Sequence, residues 1–189
     1  MSDEATRIRR QLMVVAAVLL GLIFGAAALV RFGPEVQAVE VGAKAPDFRV
    51  YDLAQGDTVS IRQRYRNTVT LVNIWATWCQ PCRVEMPSMQ QLYDSLSGKG
   101  FKIAAISIDE GSPENVRKFV KELGLSFDVL QDRSTRIQGA YQTTGVPESF
   151  LLNRDGVIIK RVIGAHDWNS EVNRALVERL LAEPGSGTQ

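Results

Sequence analysis

Cysteine and histidine are the scarce residues of this 189-residue chain, which holds only Cys79, Cys82 and His166. Two cysteines cannot make a disulfide-rich scaffold. With one histidine they complete neither a zinc site of four cysteines nor one of two cysteines and two histidines. A charge excess is also missing. Lysine and arginine total 22 against 21 acidic residues, a formal charge of +1. That balance argues against a nucleic-acid binder, which needs a basic stripe to meet phosphates. Internal repeats are lacking as well. What is present suits one folded domain with an appendage: 45% hydrophobic and 23% charged residues, enough to bury a core at this length.

One long apolar run stands out. Leu12 to Val30 contains nineteen residues without a charge, and as a helix it reaches ~28 Å, close to the hydrocarbon thickness of a bilayer. Arg7, Arg9 and Arg10 precede it, whereas Arg31 stands alone after it. Basic residues favour the cytoplasmic side. The expected organisation is therefore a cytoplasmic N-terminus over 1–11 and a transmembrane signal-anchor helix over 12–31. A tether over 32–40, an extracytoplasmic (periplasmic-side) domain over 41–182 and a flexible tail over 183–189 follow. A cleaved signal peptide competes with the anchor, because Val36-Gln37-Ala38 resembles a small-residue cleavage site, although such peptides carry an apolar core of only ~7–15 residues. No cysteine lies near the run to receive a lipid. Residues 32–189 keep 18 basic and 19 acidic residues, so charge steering is not expected to select a partner.

Downstream, strand and helix patterns alternate. Val69–Ala76 and Phe101–Ile108 are apolar on both parities, as central strands buried on both faces are. Between them Met86, Met89, Leu92, Tyr93 and Leu96 recur at helical spacing. Ser112 and Pro113 announce a helix to about Leu123, ended by Gly124. A short strand is expected at Phe127–Leu130 and a short helix at Thr135–Tyr141. Ser149–Asn153 and Val157–Val162 form a hairpin through Asp155-Gly156, and a last helix carries Val172, Ala175, Leu176 and Leu180 on one face. Phe48–Tyr51 and Thr58–Ile61 suggest an extra N-terminal hairpin. The order β-β-β-α-β-α-β-α-β-β-α specifies an α/β fold, a mixed sheet with helices on both faces.

Trp78-Cys79-Gln80-Pro81-Cys82 sits where the strand 69–76 gives way to a helix. Cysteines three apart on a first helical turn can bring their sulfurs to bonding distance. Unpaired N–H groups and partial positive charge at the helix start favour a thiolate at Cys79, the species that attacks a disulfide. Cys82, one turn further in, can then attack the mixed disulfide and release the reduced partner. Half a metal site is the first competing reading, but only His166 remains as a further nitrogen or sulfur donor. A purely structural disulfide is the second, though a four-residue loop gains little from closure.

These residues carry a resemblance. Gly42-Ala-Lys-Ala-Pro46-Asp47-Phe48, the core Asn73-Ile-Trp-Ala-Thr-Trp-Cys-Gln-Pro-Cys-Arg-Val-Glu-Met-Pro87 and Gly145-Val-Pro-Glu-Ser-Phe150 occur in order. Over about 41–182 the chain resembles the thioredoxin superfamily, and within it the membrane-anchored TlpA/ResA/DsbE-like thiol–disulfide oxidoreductases. The resemblance implies a thioredoxin-like fold with no cofactor beyond a redox-active Cys79–Cys82 disulfide. It implies an exposed attacking Cys79 and a buried resolving Cys82. Pro147 matches the family's cis-proline, with Val146 offering backbone groups to a substrate chain. Trp78, Gln80 and Pro81 would form the contact surface. Implied partners are protein thiols and disulfides, apocytochrome c among them, and a membrane protein that donates electrons.

Two departures bear on proton transfer. Asn73 stands where thioredoxin has a buried aspartate, and Gln80 stands where ResA-type members often place a glutamate. Glu148, directly after the expected cis-proline, is therefore the first candidate proton acceptor, with burial raising its pKa. Glu85 is the second candidate, with solvation its competing reading. Asp109 and Glu110 are expected to be solvated in a loop, His166 to be exposed before the last helix, and Pro87 to kink the active-site helix. The function expected is reduction of specific protein disulfides, because Gln80 and Pro81 bring no positive charge to stabilise the thiolate. A peroxiredoxin-like peroxidase is an alternative, since Ala-Pro-Asp-Phe opens many of those proteins. Their Pro-x-x-x-Thr-x-x-Cys setting is absent, with Thr77 only two residues before Cys79. A metallochaperone or assembly factor is a further alternative, for which a wider cysteine spacing and a nearby histidine would be wanted.

Overall fold

The computed structural model describes residues 2–32 and 38–185. Its contacts divide the chain into two units, 1–37 and 38–189. In the first, helix α1 (Ser2–Phe32) contains an apolar stretch, Arg7–Ala28, with a mean hydropathy of 2.3 and no buried side chains, long and apolar enough to cross a membrane. The expected tether and tail lie partly outside the described residues, at 33–37 and 186–189.

The second unit is built on β3 (Val69–Trp75), whose seven residues are all buried, as apolar residues on both parities require. Parallel to it runs β4 (Phe101–Ser107), and parallel to that β5 (Asp128–Gln131). On its other side β6 (Glu148–Leu152) and then β7 (Ile158–Ile163) pair antiparallel. The N-terminal hairpin of β1 (Arg49–Asp52) and β2 (Thr58–Ser60) joins through β1 to β5. The sheet order is thus β2-β1-β5-β4-β3-β6-β7, mixed in direction as expected.

Helices cover this sheet. They are α3 (Gln80–Leu96), α4 (Pro113–Leu123), α5 (Arg136–Ala140) and α6 (Glu171–Ala182). Of the residues spaced at helical period, α3 buries Met86, Met89, Leu92 and Leu96 and leaves Tyr93 half-buried. In α4 the Ser112 hydroxyl accepts from Glu114 N, Pro113 fills the first turn and Gly124 takes the left-handed conformation that ends the helix. The hairpin between β6 and β7 closes through Asn153, whose Oδ1 accepts from the N–H groups of Asp155 (3.0 Å) and Val157 (2.9 Å).

Two local features differ from the sequence reading. The strand expected over 58–61 stops at Ser60, and a one-turn helix α2 (Ile61–Arg64) follows. Ser60 decides the switch, accepting from Gln63 N at 3.2 Å while its own hydroxyl donates to Asp47. Four residues carry too little periodicity to announce such a turn. Chain packing also reaches back to Val39, which is 3% exposed.

Candidate active site

The C-terminal end of β3 delivers the chain to the Trp78–Cys82 segment. Cys79 is the N-cap residue of α3, in extended conformation, and its Sγ accepts the backbone N–H of Cys82 at 3.2 Å. The placement follows from the sequence: a buried strand must end before the helix turns back over the sheet, and Pro81 suits the first turn, where its missing N–H costs nothing. Cys79 and Cys82 are joined by a disulfide of 2.08 Å. Cys79 keeps 5% exposure and Cys82 none. The exposure expected of Cys79 is thus reduced to a sliver, because its sulfur is turned in under the start of α3 to bond Cys82.

The Val146–Pro147 bond is cis, as the resemblance implied. Pairing of Glu148 with Ile74 brings Pro147 level with the end of β3, beside the segment that carries Cys79. Pro147 O accepts from Gly164 N at 2.8 Å, which ties the loop to the end of β7. Pro147 is buried and Val146 half-buried, while Gln80 and Pro81 are exposed. Trp78 is 68% exposed. Its ring therefore lies outside the core, next to the disulfide-bonded Cys79 in the chain.

The carboxyl groups rearrange the expectation. Glu148 is fully buried as anticipated, but its Oε1 accepts from Arg161 Nε at 2.6 Å and its Oε2 from Thr144 N at 3.2 Å. The Arg161 guanidinium and the Thr144 amide thus occupy both carboxyl oxygens of Glu148. Glu85 is 2% exposed, which removes solvation, the competing reading of that residue. It sits one helical turn after Cys82, and burial pushes its pKa up to about 7, offset by donation from Asn73 Nδ2 (2.7 Å) and from His166 N (3.2 Å). Both candidates for proton transfer are therefore buried, Glu148 against a guanidinium and Glu85 against uncharged donors. The sequence signal was there: Glu85 lies three residues after Cys82, on the same helix face.

Asp109 is also buried rather than solvated. It accepts from Thr77 N (2.9 Å), Thr77 Oγ1 (2.6 Å) and Ser107 Oγ (2.6 Å). Thus the ends of β3 and β4 are clamped just before Trp78. Glu110 stays exposed and, with Thr77, Trp78 and Asp109, lines an open groove. His166 is half-buried, its ring nitrogen 2.9 Å from Asn173 Nδ2. Helix α3 runs unbroken through Pro87, which supplies no N–H to Arg83. A separate half-enclosed cavity, lined by Ile61, Tyr65, Thr70, Tyr141 and Leu152, lies at the opposite end of β3.

The comparisons agree with this geometry. The AhpC/TSA family profile matches residues 41–161. Thiol-disulfide oxidoreductase ResA of Bacillus cereus is 38% identical over 133 residues, covering 70% of this chain and 75% of that protein. ResA of Geobacillus thermodenitrificans is 35% identical over 160 residues, covering 82% and 90%. Among solved structures, a Chlorobium tepidum protein assigned as thiol:disulfide interchange protein DsbE matches with a TM-score of 0.69 at 28% identity, over 77% of this chain and all of that one.

Proposed function

The chain belongs to the AhpC/TSA family and, within it, to the ResA-like thiol-disulfide oxidoreductases, and from that premise we propose that it reduces specific protein disulfides on the extracytoplasmic side of a membrane. The observation that carries this reading is the Cys79–Cys82 pair, one sulfur capping α3 and the other enclosed one turn inside. In the reduced protein the Cys79 thiolate attacks a substrate disulfide and expels one substrate thiolate, leaving a mixed disulfide. Cys82 then gives its proton to the Glu85 carboxylate, and its thiolate attacks Cys79 Sγ. The second substrate thiolate leaves and the intramolecular disulfide closes, so two electrons pass from the cysteine pair to the substrate. Glu85, near neutrality, accepts and returns that proton at little cost.

Val146 and Pro147 pair with the substrate backbone, and Trp78, Gln80 and Pro81 form the surface around the attacking sulfur. Absence of positive charge between the cysteines favours a less oxidising couple, hence the reducing direction. Such a reductase requires a donor of electrons, which we place in the membrane. A cysteine-paired chain awaiting haem attachment, apocytochrome c, is the substrate that the resemblance to the TlpA/ResA/DsbE-like proteins implies. The N-terminal apolar helix could span a membrane; Arg7, Arg9 and Arg10 ahead of it support a retained anchor with its N-terminus inside. The family also contains peroxidases, but the peroxidatic proline–threonine setting is missing around Cys79.

Trapping tests the reading. A Cys82→Ala variant expressed in cells should accumulate mixed disulfides through Cys79, resolved by reducing agent and identified by mass spectrometry. An empty trap, together with a wild-type protein that reduces no protein disulfide, overturns it.

A further inference from the structure

Every group that hydrogen-bonds the Glu85 carboxyl is a donor. Asn73 Nδ2 donates to Oε1 at 2.7 Å and His166 N to Oε2 at 3.2 Å. The buried Trp168 indole Nε1–H is a third donor facing the same carboxyl, set beyond full hydrogen-bond distance. Such a lining suits a carboxylate. It gives the carboxylic acid, which must place one proton, nowhere to donate, and an unpaired buried hydroxyl is destabilising by about as much as a lost hydrogen bond.

Asn73 itself carries the missing acceptor. Its side chain is completely buried, yet Oδ1 has no hydrogen-bond partner, an exception among buried polar atoms. Both partners of Nδ2 can work in the other sense. Ser149, opposite Asn73 on β6, receives Nδ2–H through a hydroxyl at 2.9 Å, and a hydroxyl can donate as readily as it accepts. Glu85 likewise accepts when ionised and donates when protonated. A half-turn about χ2 exchanges Oδ1 and Nδ2 without moving the rest of the side chain, and that torsion is soft and nearly two-fold.

We propose that Asn73 is a positioning residue whose side-chain amide turns over as Glu85 gains or loses its proton, donating through Nδ2 to the carboxylate and accepting through Oδ1 from the acid. The inference rests on the reading of Glu85 as the proton acceptor for Cys82. It gives both protonation states of Glu85 a satisfied partner in an enclosed site, which an apolar residue or a donor-only residue at position 73 cannot do. Other ionisable groups around Glu85 have their own partners. From β7, Lys160 Nζ donates to Asn173 Oδ1 at 2.7 Å and lies 3.4 Å from His166 Nε2. The His166 ring sits 2.9 Å from Asn173 Nδ2, offering Glu85 only its backbone N–H. Glu148 is taken by Arg161, and on α3 itself Cys82 is bonded to Cys79.

The test is nuclear magnetic resonance on the full-length oxidised protein in detergent micelles, with ¹⁵N-labelled asparagine amides and ¹³C-labelled glutamate carboxyls, followed from pH 5 to pH 9. At pH 9 the Asn73 amide protons should show nuclear Overhauser contacts to Glu85 and Ser149. These contacts should be lost at low pH with the same midpoint as the Glu85 carboxyl, near 7, and Glu85→Gln should abolish the pH response of Asn73. An Asn73 amide that stays fixed while Glu85 titrates overturns the turnover and leaves the proton role of Glu85 standing. A response that follows the His166 ring, or survives in Glu85→Gln, overturns it equally. If Glu85 keeps one protonation state throughout, the turnover and the proton role fall together.

Discussion

Arg161 on β7 donates to the fully buried carboxylate of Glu148 on β6 at 2.6 Å, and the same guanidinium reaches Val39 O (2.8 Å) and Gln142 O (2.9 Å). One side chain thereby joins the strand that follows the cis-proline, the loop that leads into it and the first packed residue of the domain. Removing the cation leaves a buried charge without a partner, which is far worse than never having had the pair. Arg161→Ala should therefore lower the unfolding free energy by about 3 kcal/mol, and adding Glu148→Gln should recover a large part of that. Urea unfolding of the two variants checks it; equal losses in both would remove the ion pair from the account.

Much of this arrangement could be read from the chain, and the exceptions share a cause. The buried parity of Val69–Trp75, the Ser112–Pro113 helix start and the Asp155-Gly156 turn are local signals, legible because each is written in neighbouring residues. The cysteine pair at a strand-to-helix junction is local too. What could not be read was the partner of each carboxylate. Arg161 meets Glu148 across thirteen positions, and Asn73 meets Glu85 across twelve. Both Glu148 and Glu85 are buried, and only those pairings show that one faces a guanidinium and the other an amide. Asp109 was misread for the same reason: its partner Thr77 is thirty-two positions away.

Glu85 makes stability depend on pH in a direction opposite to that of an ion-paired carboxylate. Its folded pKa stands near 7, above the 4.5 of an ordinary glutamate, so the folded state binds the proton more tightly than the unfolded chain. The associated stabilisation is complete below pH 4.5 and is lost as pH rises through 7. The total is about 3 kcal/mol between those limits. Urea unfolding of the oxidised protein at pH 5 and pH 8 should show wild type losing most of this amount, whereas Glu85→Gln should lose little. Parallel slopes in the two proteins would contradict the shifted pKa.

Asp109 holds the segment ahead of the active-site cysteines through two bonds to Thr77 and one to Ser107. An Asp109→Asn substitution keeps the shape but turns an amide toward donors that need an acceptor. A lost bond to a charged group is worth about 2 kcal/mol, and the segment carrying Trp78 should loosen. Faster amide exchange at Thr77 and Trp78, with the exchange rates of β3 unchanged, is the expected signature. Unchanged protection at Thr77 would show that the strand end holds itself.

Trp78 offers the contact surface its own test. Its ring is 68% exposed beside Cys79, which is 5% exposed, so a bound protein chain would cover the indole before it reached the sulfur. Buried aromatic anchors contribute about 2 kcal/mol or more when truncated, which corresponds to roughly a 30-fold change in an equilibrium constant. Trp78→Ala should raise the KM for a protein disulfide by that order while leaving reduction of a small disulfide such as oxidised dithiothreitol nearly unchanged, because a small substrate needs the sulfur and not the surface. The two substrates separate contact from chemistry. A loss shared equally by both would mean that the indole acts on the thiolate itself, and the surface around Cys79 would then have to be assigned to Pro81 and Val146 instead.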